Sequence, residues 1–200
     1  RFHINGTSAQ GLDLNGYYGE RFGTFGTTVF ASYNGNRAYD PAGIGLSAIP
    51  QFERYTVNPR LFLYPSKRTT VSFGVNTAFE KRIGGSMPYI KGESDTVNTY
   101  FERNNTKRIS TQLSVQHTLG EHRQVTLKNS YSYFDRSITI PGYQFHGIQN
   151  STFTELNYST ENDRSEWIAG ANLWTDGFQE KNLTTVPLRD YTQTTIGVFA

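Results

Sequence analysis

The chain of 200 residues contains no cysteine. Disulfides, thiolate metal sites and cysteine nucleophiles are therefore excluded. No run of 18 apolar residues occurs, which excludes a transmembrane helix. Charge is scarce and balanced: 19 Lys and Arg against 17 Asp and Glu leave a net charge of +2. With no block of like charge, no nucleic-acid partner is expected. Chemical motifs are missing too. No HExxH, Walker or GxSxG sequence is present, and Gly43-Ile44-Gly45 lacks the strand and helix that a nucleotide fingerprint needs. The sequence points to no catalytic site and no cofactor, and the expectation is a protein that is not an enzyme.

What the chain does have is alternation. Residues 69–82 place Val71, Phe73, Val75 and Phe79 on one side and Thr70, Ser72, Gly74, Asn76, Ala78 and Glu80 on the other. Ile109, Thr111, Leu113, Val115 and Leu119 alternate in the same way with Ser110, Gln112, Ser114, Gln116 and Thr118. Side chains repeat every second residue along a strand, so each such strand has one apolar and one polar face. Both strands exceed the roughly 9–11 residues that cross a bilayer at a tilt. A hydrophobic fraction of 36% and a mean hydropathy of −0.57 would by themselves suit a soluble protein. A membrane barrel also fits these values, because only half of each strand meets lipid.

Nine strands are predicted, at 11–19, 24–33, 53–64, 69–82, 107–119, 124–138, 151–160, 165–176 and 190–200. Glu20–Gly23, Pro65–Arg68, Gly120–Arg123 and Glu161–Arg164 read as tight turns. The links 34–52, 83–106, 139–150 and 177–189 are longer. Short turns at one end and long loops at the other are the topology of outer-membrane barrels, the short ones periplasmic. On that orientation Tyr33, Tyr55, Phe79, Tyr131 and Tyr133 lie towards the outer interface, and Phe22, Phe25 and Tyr64 towards the inner one. The alternative for each ring is ordinary β-propensity. Three strands depart from the pattern. In 124–138 Val125, Leu127, Tyr131 and Tyr133 share a face with Asn129 and Asp135. Pro59 removes a ladder donor, which suggests a bulge or weak pairing. In 165–176 both faces carry apolar residues, Trp167 and Leu173 on one and Ile168 and Trp174 on the other. A bulge would explain this, and so would a Trp174 beyond the membrane.

An odd strand number does not close a bacterial single-chain barrel. Arg1 opens the chain without an initiator Met, and Ile196 to Ala200 reads as mid-strand. Residues 1–200 are thus expected to be a partial outer-membrane β-barrel domain. The loops NGNRAYDPAGIGLSAIPQ and SMPYIKGESDTVNTYFERNNT and the stretch RYTVNPRLFLYPSKRTTVSFGVNTAFEKRIGG resemble the barrel of TonB-dependent outer-membrane receptors, in the style of Bacteroidetes-like bacteria. The resemblance implies an antiparallel transmembrane β-barrel of about 22 strands around a plug. It further implies location in the bacterial outer membrane and contact with lipid and lipopolysaccharide. The activity implied is uptake of a scarce ligand (siderophore, cobalamin, glycan or peptide), energised by the TonB–ExbB–ExbD complex through the plug. A surface lipoprotein is a further partner of that kind. A passive porin, an outer-membrane enzyme and a soluble β-sandwich binding protein stand as alternatives.

Candidate ligand contacts fall in the long links, because binding residues concentrate on loops. Arg37, Tyr39 and Asp40 occupy the first, and Arg82, Tyr89 and Lys91 the second. Together they bring cations and aromatic rings to the outer mouth, a set suited to an anionic or catecholate-like ligand. The competing reading is a solvated loop or lipopolysaccharide contact. Tyr143 and His146 in PGYQFHGIQ complete the candidates. His117 and His122 read as structural, on an apolar face and in a turn. Glu93, Asp95 and Glu102 do not match the calcium-loop spacing.

Overall fold

The computed structural model describes residues 1–8, 10–93, 96–181 and 189–200. They form one antiparallel sheet of ten strands, paired in chain order. The strands are β1 (Phe2–Gly6), β2 (Leu12–Phe22), β3 (Phe25–Asn36), β4 (Gln51–Ser66), β5 (Thr69–Gly85), β6 (Phe101–Thr118), β7 (Arg123–Ile140), β8 (Tyr143–Asn162), β9 (Ser165–Glu180) and β10 (Tyr191–Phe199). One short helix, α1 (Met87–Lys91), lies between β5 and β6. The sheet is open, with β1 and β10 as its two edges. Asp95, one of the acids that do not match the calcium-loop spacing, and 182–188, part of the last long link, lie outside the described residues.

Ten strands replace the nine expected. β1 is five residues long and offers only Phe2 and Ile4 as apolar alternation, too short a pattern to register as a strand. At one end of the sheet the connections are tight, as the turn residues require. Gly23 takes φ +60° between β2 and β3. Asn162 Oδ1 accepts the backbone N–H groups of Arg164 and Ser165, both at 3.0 Å, and so closes the β8–β9 hairpin. At the other end 37–50 and 86–100 are long, but the expected long link 139–150 is not a loop. β7 and β8 continue through it to a two-residue turn, Pro141-Gly142, with Ile140 opposite Tyr143. Proline fixes φ near −65° and Gly142 supplies φ +74°, which reverses the chain at once.

Neither expected bulge occurs, while the weak pairing expected at Pro59 does. Pro59 causes no bulge: it stays in register opposite Val29, and the shift in β4 comes between Leu63 and Ser66. On the β5 side the ladder lapses at Asn58 and Pro59. Side chains fill the gap, with Thr77 N–H donating to Asn58 Oδ1 at 3.2 Å and Thr77 Oγ1 donating to Val57 O at 2.8 Å. β9 has no bulge either, since its pairing with β8 is regular throughout. Trp174 sits opposite Phe153 and shares its face, so the polar side of the sheet carries an aromatic patch there.

Opposed residues in a ladder project from the same face, so the register sorts every side chain. One face holds Val29, Val57, Leu61, Val71, Phe73, Val75, Ile109, Leu113, Leu127, Leu156, Leu173 and Ile196. Tyr33, Tyr55 and Phe79 form one row above them, with the two tyrosine rings 5.1 Å apart. Phe22 and Phe25 stack at 6.3 Å at the lower end. The opposite face carries Arg54, Arg60, Glu80, Gln112, Lys128, Glu155 and Asp176. Among the described residues no hydrophobic side chain is buried. A sheet in a globular domain covers its apolar face with a second layer. Here that face has no cover within the chain: Phe73 is 43% exposed and Leu156 53%.

Candidate ligand-binding face

Charge separates the two faces most sharply at mid-height. From the row Thr69–His117–Val125–Tyr158 to the row Thr77–Ile109–Tyr133–Asn150, the apolar face of β3 to β10 has no Asp, Glu, Lys or Arg. Charges return just beyond, at Arg123 on one side and at Lys107 and Asp135 on the other. On β2 Glu20 enters the band in the row Thr27–Leu61–Phe73, where it accepts the Tyr18 hydroxyl. The polar face carries charge within the same height. Lys128 Nζ meets Glu155 Oε1 at 3.1 Å. Arg60 crosses β5 to donate to Gln112 Oε1 at 2.5 Å. Gly74 leaves room for this crossing, since a Cβ there would lie a tight 3.1 Å from Arg60 Nε.

Above these residues the polar face opens into a basin of about 460 Å³. Register places Arg54, Glu80, Thr106 and Arg136 in one row across β4 to β7. Thr56, Ala78, Arg108 and Phe134 form the next row, and Arg82 stands opposite Asn104 in the row beyond. Small side chains, Thr56, Ala78 and Thr106, make the floor, and four arginines surround it. Glu80 binds Arg54 and also meets Arg82 at 3.2 Å. Arg108 lies over the Phe134 ring at 4.9 Å. Arg136 Nε donates to Asn104 Oδ1 at 3.3 Å, and the Thr106 hydroxyl donates to the same oxygen at 3.2 Å. Among the described residues Arg108 and Arg136 have no carboxylate partner. The basin therefore holds four guanidinium charges against one carboxylate.

A second cluster ends the polar face at β8 to β10. Phe145, Phe178 and Tyr191 form a stack with centroids 6.4 and 5.7 Å apart. Arg189 lies 5.4 Å over Phe145 and grips Glu180 through Nε at 2.9 Å and Nη2 at 2.8 Å. Hydrogen bonds to Glu180 and then to the Tyr143 hydroxyl raise the Arg189 pKa above its ordinary value. Its charge is thus matched within the fold.

The structure disperses the residues expected to meet ligand. Arg82 stands on β5 itself and enters the basin. Arg37 and Tyr39 border a hollow of about 480 Å³ with Met87, Ile90 and Lys91. Asp40 serves its own loop, where its carboxylate accepts Gly45 N–H at 2.7 Å and Ile44 N–H at 3.3 Å. Tyr89, in α1, stacks on Phe101 at 4.4 Å with ring planes 4° apart. Phe101 belongs to the apolar face, so Tyr89 and the basin lie on different sides. Tyr143 opens β8 on the polar face beside Arg189. His146 falls on the apolar face of β8, above the charge-free band, with Nε2 2.9 Å from Asp135 Oδ1. Sequence reading alone did not single out Arg54, Glu80, Arg108 and Arg136 as one group. Their alternation was visible, but only the register shows that strands up to 82 residues apart in sequence bring them together.

Among the described residues no group of three or more His, Asp or Glu side chains is placed to hold a metal ion. No family model matches the chain, and no curated protein matches it significantly.

Proposed function

We propose that this sheet is part of the wall of a bacterial outer-membrane β-barrel. Its apolar face meets lipid and its polar face lines the lumen, in an active-transport receptor of the TonB-dependent kind. The observation that carries the reading is the coincidence in height of a charge-free apolar face with a charged opposite face. The charge-free rows run eight residues along β5, from Thr69 to Thr77, and the aromatic row at Phe79 follows at ten, level with Lys107. At about 3.4 Å each and a tilt of about 40°, this makes ~21 Å of charge-free height and ~26 Å up to the aromatic row. Outer-membrane barrels carry an apolar band about 25 Å tall. Leaving an apolar side chain in water forgoes roughly 1.5–3 kcal/mol. A face this broad is stable only against another apolar phase, and a bilayer fits both its height and its aromatic rows.

In such a barrel the lumenal arginines and the outer loops capture the ligand, and the energised inner-membrane complex supplies the work of admission. No bond in the ligand is broken. Uptake by cells with and without a working TonB–ExbB–ExbD complex tests the transport half of the reading. The expected outcome is uptake that disappears when the complex is removed. Uptake that persists unchanged would favour a passive diffusion channel, in which the same basin would confer a preference for anions.

A further inference from the structure

The arginine basin has the composition of a built receptor site. Arginine presents a planar fork of donors that fits phosphate and carboxylate oxygens in pairs, with shorter and stronger bonds than neutral donors make. Grouping four like charges on one patch of sheet costs electrostatic energy unless an opposite charge offsets it. Glu80 offsets part, and it is committed to Arg54 and Arg82. Arg108 and Arg136 flank the Thr106 floor with no carboxylate partner among the described residues. Each is oriented all the same, the first by the Phe134 ring and the second by Asn104. Asn104 is buried, and its Oδ1 is taken by Thr106 and Arg136. Oriented cations over a recess floored with small side chains differ from a solvated basic surface, where long side chains spread apart.

We infer that this basin binds a multiply charged oxyanion carried by a small solute, with Arg108 and Arg136 as its principal contacts and Arg82 and Arg54 closing the opposite side. The inference deepens the proposed receptor reading and rests on its assignment of the polar face to the ligand side.

Titration calorimetry on the detergent-solubilised protein tests it, with inorganic phosphate and citrate as probes. Saturable binding of at least one is expected, and preference for one over the other identifies the oxyanion as phosphate or carboxylate. Arg108→Gln and Arg136→Gln should each weaken it about tenfold, the loss of one charge-assisted hydrogen bond. Arg103→Gln, on the opposite face, should leave it unchanged. Ala78→Leu retains every charge and fills the floor, so it should also abolish binding, even if an arginine variant fails to fold. Absence of saturable binding would overturn the inference, as would equal weakening by Arg103→Gln or undiminished binding in Ala78→Leu. Phase partitioning of the same sample separates the two ideas. Protein that stays with detergent and binds neither anion refutes the basin alone, and protein that binds anion in the aqueous phase refutes the membrane reading alone.

Discussion

At the residue scale, the polar face is held in order by side chains that reach across strands. Arg60 spans β5 to Gln112 because Gly74 leaves its path open. Thr77 and Asn58 replace the ladder bonds that lapse at Pro59. A double-mutant cycle on the first of these should detect coupling. Arg60→Ala and Gln112→Ala each remove the same hydrogen bond, so their costs should overlap by about 1 kcal/mol, measured from denaturant midpoints. Additive costs would mean that Arg60 and Gln112 do not interact. Pro59 was legible as a weak point because its missing N–H is a property of the residue. Which neighbour would compensate was not, since Thr77 lies 18 residues away and meets Asn58 only through the register.

At the scale of the strand, the alternation carried most of what was readable. Val71, Phe73, Val75 and Phe79 share a face as their spacing requires, and the rows Tyr33–Tyr55–Phe79 and Phe22–Phe25 follow from it. Ends were harder to place. β5 to β8 extend beyond the apolar stretches into Arg82, Asn104, Arg136 and Phe145, where both faces mix polar and apolar residues and period-two patterning is lost. Pro141-Gly142 was the overlooked signal, a hairpin turn inside what reads as a loop. Loop residues fared differently because a loop's shape comes from contacts such as Asp40 with Gly45, and neither spacing nor composition encodes them. The two faces make opposite demands on a new charge. Val75→Arg, at mid-band on the apolar face, should destabilise the protein folded in lipid vesicles by about 2–4 kcal/mol, whereas Asn76→Arg on the polar face should cost less than about 1 kcal/mol. Equal costs in denaturant titrations would show that the faces meet the same solvent.

At the scale of the whole molecule, the sheet has two faces and no interior. No apolar side chain among the described residues is buried, and on the proposed reading the bilayer supplies the burial that the sheet itself does not. The sheet has tight turns at one end and the longer links 37–50 and 86–100 at the other, which on the proposed reading are its inner and outer edges. All-β architecture and two-faced strands were legible in the sequence. The arginine basin was not, because it joins β4 to β7 across a register that no local pattern contains. The absence of cysteine makes the central claim directly measurable, since any introduced thiol is unique. Spin labels placed one at a time from Val71 to Ala78 and from Ile109 to Gln116, in protein reconstituted into lipid, can be scored for collision with oxygen and with a polar nickel chelate. The account predicts strict alternation, with Val71, Phe73, Val75, Ile109, Leu113 and Val115 open to oxygen and shielded from nickel, and Ser72, Asn76, Gln112 and Ser114 the reverse. Nickel accessibility that is high and equal on both faces would contradict it.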